Sequence, residues 1–239
     1  MSAYKGYLIQ EDGDSYIGSI KSIDIPIVQD QHVLINVEFS SLNYKDALSA
    51  SGPKYGVTRE YPFVPGIDAA GKILESKSPN FNVGDEVIVT GYSMGMSVFG
   101  GFGEIVHVPA NWVVKLPKNM SLKESMNYGT AGLTAAASVR KIIDNGIDEK
   151  KPILVSGATG GVGSVAVNIL SKLGYEVHAL TGKNNEDIFL KTIGADSVVN
   201  RDDFMQDPVR PLDKALYLSL IHISEPTRPR LISYAVFCL

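Results

Sequence analysis

A glycine-rich turn is the first segment whose residue types and spacing could do chemistry. It lies between two apolar runs, and Ala158, Gly160 and Gly163 occupy the three key positions of a G-x-G-x-x-G-like pattern. Glycines at such a turn let the backbone approach a pyrophosphate, which then faces the unpaired N–H groups of the following helix. The turn therefore predicts a dinucleotide site made by Ala158, Thr159, Gly160, Gly161, Val162 and Gly163. A tight strand–helix turn without ligand is the alternative, and this many glycines disfavour it, since each costs about 1 kcal/mol against alanine.

The residues after the second predicted strand indicate which dinucleotide is bound. NAD-binding folds of this kind place Asp or Glu about 20 residues after the glycines, where it bonds the ribose 2′-hydroxyl. Here the strand ends in Thr181, Gly182 and Lys183, with no acid. A hydroxyl, a glycine and a lysine suit a 2′-phosphate, so the sequence predicts NADP (NADPH) rather than NAD. A solvated loop lysine is the alternative for Lys183.

Arg201 follows the next strand-like run of the sequence. The ends of neighbouring parallel strands lie side by side, so its guanidinium is predicted to reach the same phosphate or to stack on adenine.

Two kinds of pattern divide the chain into the elements that must position these groups. The first 120 residues read as short strands separated by turn residues, with alternation clearest at Val33, Ile35, Val37 and Phe39. Such spacing predicts a barrel-like or sandwich domain. Ser121-Leu-Lys-Glu124 is a capping box that opens a helix. From residue 151 strands and helices alternate, which predicts a parallel sheet.

Three glycines mark predicted helix ends in the second half of the chain. Gly146, Gly174 and Gly194 each follow a run with helical spacing, and glycine is the preferred residue just beyond a helix.

Composition narrows the class of protein. The chain has 239 residues, 44% of them hydrophobic and 20% charged, and a net charge of −4. These values predict a globular protein without a nucleic-acid partner. No run approaches the roughly 20 apolar residues that span a membrane, so we expect no membrane association and a cytoplasmic location.

The last residues are expected to be foreign to the protein. The segment 218–239 resembles the conceptual translation of a sequencing-library adapter, and it contains the single cysteine, Cys238. The predicted division is a β-rich catalytic or substrate domain at 1–120, a bridging helix and truncated nucleotide-binding domain at 121–217, and a non-native tail at 218–239.

Three further segments carry a family resemblance. They read SSLNYKDAL at 40–48, VPGIDAAG at 64–71 and YGTAGLTA at 128–135. Together with the glycine turn they resemble the YhdH/YhfP-type branch of the medium-chain dehydrogenase/reductase superfamily, the NADPH quinone oxidoreductases or acrylyl-CoA reductases. The resemblance runs from residue 4 to about 217, and no single motif carries it.

The resemblance implies an α/β fold and an activity. The fold is a GroES-like, barrel-like β domain followed by a Rossmann doubly wound parallel sheet, truncated here by roughly 100 residues. The implied reaction is NADPH-dependent reduction of an activated double bond, as in an enoyl-CoA, or of a quinone. The expected partner is that small-molecule acceptor, and the intact parent is expected to be a homodimer.

The resemblance also suggests the groups that assist hydride transfer. Zinc members place Cys and Gly-His-Glu where this chain has Asn43 and 66–68, so we expect catalysis without a metal. Asn43 and Tyr44 can donate hydrogen bonds to the acceptor oxygen, and Tyr44 can also bind the cofactor by stacking on or hydrogen-bonding its nicotinamide end. Asp46 could orient either residue or bond a ribose hydroxyl. The family places Thr134 beside the nicotinamide ribose.

Structural alternatives remain open for this segment. Asn43 and Asp46 also suit a strand-to-helix junction, with Asn43 as N-cap and Asp46 in the first helical turn.

Two further functions are also open for the protein as a whole: an NADPH-binding protein without turnover, and an inactive fragment of the reductase.

Overall fold

The computed structural model describes residues 2–146, 151–206 and 216–218. The chain forms two compact units, the first ending at Thr130 and the second beginning at Ala131. Apart from Leu218, the predicted tail at 218–239 lies outside the described residues, and nothing here tests it. Among the described helices, none is long and apolar enough to cross a membrane.

The first unit is built from antiparallel strands. A hairpin of β1 (Ala3–Asp12) and β2 (Ser15–Asp24) accompanies a five-stranded sheet of order β6-β3-β4-β5-β7. The strands of that sheet are β3 (His32–Phe39), β4 (Asp68–Ser76), β5 (Glu86–Thr90), β6 (Ile105–Pro109) and β7 (Val113–Lys115). The β2 strand escaped prediction because none of its side chains is fully buried, so it carries no strong alternation.

The central strand β3 corrects one detail of the predicted pattern. Val33 and Ile35 are buried in the sheet core as predicted, but Leu34 is buried too, at 4% exposed, so both faces are covered. Phe39 remains 38% exposed. A register irregularity between Val37 and Phe39 explains this, because such an irregularity turns the following side chain away from the expected face.

Two helices complete the first unit and lead into the second. The short helix α1 (Tyr44–Ala50) begins after Asn43, and α2 spans Leu122–Asp144 with a non-helical residue at Gly129. The predicted capping box is confirmed. The Ser121 N–H donates to Glu124 Oε2 at 2.8 Å, and the Glu124 N–H donates to Ser121 Oγ at 3.2 Å.

The second unit holds the predicted parallel sheet, in the order β10-β9-β8-β11. Along the chain it contains β8 (Ile153–Ser156), α3 (Gly161–Lys172), β9 (Val177–Thr181), α4 (Asp187–Thr192), β10 (Ser197–Asn200), α5 (Arg201–Gln206) and β11 (Leu216–Leu218). Gly146, Gly174 and Gly194 have φ of +77°, +87° and +111°, which confirms the predicted helix ends. The fold class predicted from the sequence is confirmed.

Candidate functional site

A buried carboxylate organises the polar residues of the first unit. Asp68 begins β4 and is 0% exposed. The Asn43 side-chain amide donates to Asp68 Oδ2 at 2.8 Å, and the Ser41 hydroxyl donates to the same oxygen. Thr130 donates twice, from its N–H to Oδ2 at 2.9 Å and from its hydroxyl to Oδ1 at 2.6 Å. Asp68 thus joins three segments that are distant in sequence.

A second buried carboxylate, Asp46, holds the start of helix α1. It accepts the Asn43 N–H at 2.7 Å on Oδ2 and the Ile67 N–H at 2.9 Å on Oδ1. Burial raises the pKa of Asp46, the two N–H groups oppose that rise, and the nearby charge of Asp68 adds to it.

These contacts favour the helix-start alternative for Asp46. Its side chain is 1% exposed and both oxygens accept backbone N–H groups. The predicted role of Asp46, to orient Asn43 or Tyr44 or to bond a ribose hydroxyl, stays a prediction.

Tyr44 has the opposite environment. It is the first residue of α1 and is 70% exposed, beside the half-buried Asn43. The structure thus brings the predicted residues Asn43, Tyr44 and Asp46 together, with the tyrosine ring outermost. This leaves the phenol available to a ligand.

The glycine turn of the second unit has the geometry that a phosphate cradle needs. Gly157 has φ +62°, and the Gly160 N–H donates to the Gly157 carbonyl at 2.9 Å, which closes the turn before α3. A side chain on Gly163 would collide with the Gly157 carbonyl, so this close approach of helix and turn requires glycine. The first helical turn leaves N–H groups without intrahelical partners. Ala158 is fully buried, whereas Gly160 and Gly161 are exposed and Thr159 and Val162 are half-buried.

The residues predicted for the 2′-phosphate also meet. Asn200 pairs with Thr181 across β10 and β9, so Arg201 follows directly beside the end of β9. An ideal Cβ on Gly182 would lie 2.8 Å from the Arg201 guanidinium carbon, so the guanidinium lies against that glycine. The Lys183 N–H donates to Thr181 Oγ1 at 3.1 Å, which fixes the turn that carries the lysine. Gly182, Lys183 and Arg201 are exposed.

Thr134 lies in the part of α2 that belongs to the second unit, and it is half-buried. Its carbonyl accepts the Ser138 hydroxyl at 2.8 Å. The predicted place of Thr134 beside a ribose stays a prediction.

The place where zinc relatives carry metal ligands contains an amide–carboxylate pair. Asn43 and Asp68 are joined by their hydrogen bond, and the intervening position of the second motif is the buried Ile67. Within the described residues, no three His, Cys, Asp or Glu side chains come together as a metal site. The expectation of metal-free catalysis thus rests on residue type.

Sequence reasoning missed the organising role of Asp68, together with Ser41 and Thr130. The carboxylate lies within an apolar-looking segment, 64–71, and its partners are 27 and 62 residues away. The available signal was Gly129, a glycine in the middle of a helical pattern, which indicates close approach of another group.

Comparisons with known proteins agree with this architecture. Residues 29–118 match the alcohol dehydrogenase GroES-like domain. YhfP of Bacillus subtilis is 45% identical over 86% of this chain and 62% of its own length. Acrylyl-CoA reductase AcuI of Ruegeria pomeroyi is 38% identical over 88% and 64%, and quinone-oxidoreductase QR1 of Triphysaria versicolor is 32% identical over 89% and 67%.

Two solved structures share the fold as well as the sequence. Bacillus subtilis YhfP with NAD bound superposes with a TM-score of 0.80 at 44% identity, covering 85% of this chain and 62% of the other. The YhdH oxidoreductase of Salmonella enterica in complex with NADP gives 0.79 at 37% identity, covering 84% and 62%.

A GroES-like β unit followed by a parallel nucleotide-binding sheet is the architecture of the medium-chain dehydrogenase/reductases. The chain belongs to the YhdH/YhfP-type branch of that superfamily, the quinone oxidoreductases and acrylyl-CoA reductases. It spans slightly less than two thirds of the length of YhfP and AcuI.

Proposed function

We propose that this protein binds NADPH through its second unit. The observation that carries the proposal is the end of β9, where Lys183 follows Gly182 and the Arg201 guanidinium lies against that glycine. The residues directly after β9 include no acid, and the exposed Arg201 has Asp202 Oδ1 3.5 Å from its Nε. Two exposed cations and a hydroxyl suit a 2′-phosphate, whereas NAD selection uses a carboxylate there. YhfP has been solved with NAD bound and YhdH in complex with NADP, so the residues of this chain decide the preference.

The glycine turn supports the proposal. Helix α3 approaches the turn closely at Gly163, and the donors for a pyrophosphate would be backbone N–H groups of Thr159, Gly161 and Val162, since the Gly160 N–H is bonded to the Gly157 carbonyl. Thr181, Lys183 and Arg201 would hold the adenosine phosphate. When bound, NADPH supplies a hydride.

We propose that the reaction is reduction of a small-molecule acceptor, either an activated double bond of the enoyl-CoA type or a quinone. Either acceptor builds negative charge on an oxygen as hydride arrives, and that oxygen needs a hydrogen-bond donor. Tyr44 donates from its exposed phenol. Asn43 lies beside it with its amide nitrogen on Asp68 and Ser41, so it would hold the start of α1 in place rather than donate to the acceptor. Since Asn43 and Ile67 replace metal-ligating side chains, this role falls to protein groups without zinc.

The test uses the full-length protein with both cofactors and both acceptor classes. NADPH and NADH binding is measured by cofactor fluorescence, and turnover by loss of reduced-cofactor absorbance with crotonyl-CoA, acrylyl-CoA and a set of quinones. We expect tighter NADPH binding and turnover with at least one acceptor class. Equal affinity for the two cofactors contradicts the phosphate site, and tight NADPH binding without any turnover identifies a binding protein instead.

A further inference from the structure

We infer that Asp68 is a positioning residue that fixes the side-chain amide of Asn43 and acts on ligands only through it. The inference rests on the proposed function, in which Asn43 lies beside the hydrogen-bond donor Tyr44. Asp68 itself is 0% exposed, so its carboxylate meets protein groups and no ligand. The four donors around it therefore determine its role.

Four donors surround this carboxylate, three on Oδ2 and one on Oδ1. An ionised carboxylate accepts about four hydrogen bonds and donates none. The four donors here are the Ser41 hydroxyl, the Asn43 amide, and the N–H and hydroxyl of Thr130. The set contains no lysine or arginine, so neutral donors alone satisfy the buried acid, and loss of any acceptor site leaves a donor unpaired.

These hydrogen bonds fix the orientation of the Asn43 side chain. Its NH₂ edge must face Asp68, because the amide oxygen would repel the carboxylate oxygen at 2.8 Å. The same nitrogen lies 3.4 Å from Ser41 Oγ, whose own proton is donated to Asp68, so that hydroxyl oxygen is an acceptor. Both neighbours therefore select one of the two amide rotamers, and the rotamer depends on Asp68.

The backbone near Thr130 is shaped to admit the carboxylate. Gly129 has φ 48° and ψ −150°, a conformation open mainly to glycine. A Cβ there would lie 2.5 Å from Asp68 Oδ2 and 2.6 Å from Ser41 Oγ. The break in α2 thus turns the Thr130 donors toward Asp68. These donors hold the Asp68 carboxylate in place, and the carboxylate in turn holds the Asn43 amide.

A double-mutant cycle on turnover tests whether Asp68 acts through Asn43. Asp68→Asn preserves size but puts a donor where acceptors are needed, and we expect kcat/KM to fall about 10- to 100-fold while NADPH affinity stays unchanged. In an Asn43→Ala background, Asp68→Asn should produce no further fall. Fully additive losses would overturn the inference, since a residue that only supports the fold does not need Asn43 for its effect. Asp85→Asn, which removes a carboxylate elsewhere in this unit, is the matched control and should keep wild-type turnover.

A spectroscopic measurement separates this inference from the proposed reaction. The Asn43 side-chain NH₂ signals, assigned by their loss in Asn43→Ala, should be shifted and protected from hydrogen exchange in the wild-type protein. Signals at free-amide positions with unprotected exchange would overturn the inference even where Asp68→Asn does not fold. Protected signals in a protein that reduces no acceptor would reject the proposed function and leave the positioning role standing.

Discussion

The guanidinium of Arg201 lies against the backbone of Gly182, where a Cβ would be 2.8 Å from its central carbon and 3.0 Å from one terminal nitrogen. The two residues are 19 positions apart, and the parallel pairing of β9 with β10 brings them together. Lys183 is the next residue along the chain and is exposed, and Asp202 Oδ1 lies 3.5 Å from Arg201 Nε. This arrangement favours a doubly charged phosphate ester over a free hydroxyl.

Removal of the Lys183 charge should weaken NADPH binding selectively. We expect Lys183→Ala to cost about 1.5–3 kcal/mol of NADPH affinity, the value of a hydrogen bond to a charged group, with NADH affinity nearly unchanged. Fluorescence titration of both cofactors measures the difference. Lys191→Ala, an exposed lysine in the last turn of α4, is the control and should leave both affinities alone. An equal loss for NADPH and NADH would reject the phosphate contact.

Gly182→Ala tests the position of Arg201 without removing any charge. The new methyl group displaces the guanidinium, which can move because it is the end of a flexible side chain. We therefore expect weaker NADPH binding with an unchanged melting temperature. Arg201→Ala should make the Gly182→Ala effect disappear, because no guanidinium then remains to be displaced. A Gly182→Ala loss that persists in that background points to the backbone instead.

Tyr44→Phe removes one hydroxyl from a 70% exposed ring, so the fold should be unaffected. If the phenol stabilises charge that forms during transfer, kcat and kcat/KM should fall together. Steady-state kinetics with the best acceptor measures both quantities. A change confined to KM indicates a binding role.

Dialysis against a strong chelator should leave turnover intact, because the proposed mechanism uses no metal. If dialysis abolished turnover and added zinc restored it, the metal-free mechanism would be rejected.

Gly129→Ala should be among the most destabilising glycine substitutions in the chain. It combines a backbone conformation costing about 1–3 kcal/mol with a clash against Asp68 and Ser41. Gly174→Ala is the matched control, since Gly174 has φ +87° but no atom within 4 Å of an added Cβ. Chemical denaturation should show the larger loss for Gly129→Ala. Equal losses of stability in the two variants would mean that only the backbone conformation of the glycine matters and that the Asp68 side chain moves to make room for the methyl group.

Stability should fall on mild acidification through His107. Burial and the neighbouring His32 lower the pKa of His107 below its ordinary value of 6.5. The unfolded chain then binds a proton before the folded protein does, so stability is present above about pH 6.5 and is lost as pH falls through the folded pKa. Denaturation of the wild type and His107→Gln at several pH values checks this. A wild-type curve no steeper than that of the variant would contradict it.

Local physics explains why many of the turns and helix ends were predictable from sequence. The glycine turn, the helix-ending glycines at 146, 174 and 194 and the capping box at Ser121 each depend on the conformation of a few adjacent residues. The absence of an acid directly after β9 can likewise be read from the sequence, which has Thr181, Gly182 and Lys183 there. These features determined the fold class and the proposed cofactor.

Only the tertiary structure decided which polar groups meet. Asp68 gathers Ser41, Asn43 and Thr130 because strand β4, the start of α1 and the break in α2 converge, and no local pattern encodes that convergence. Asp46 was predicted from its position near Tyr44, and only the structure shows that it is buried and accepts two backbone N–H groups. Sequence spacing thus determined the elements and their residue types, whereas burial and long-range hydrogen bonding, which depend on packing of distant segments, determined the roles of the two carboxylates.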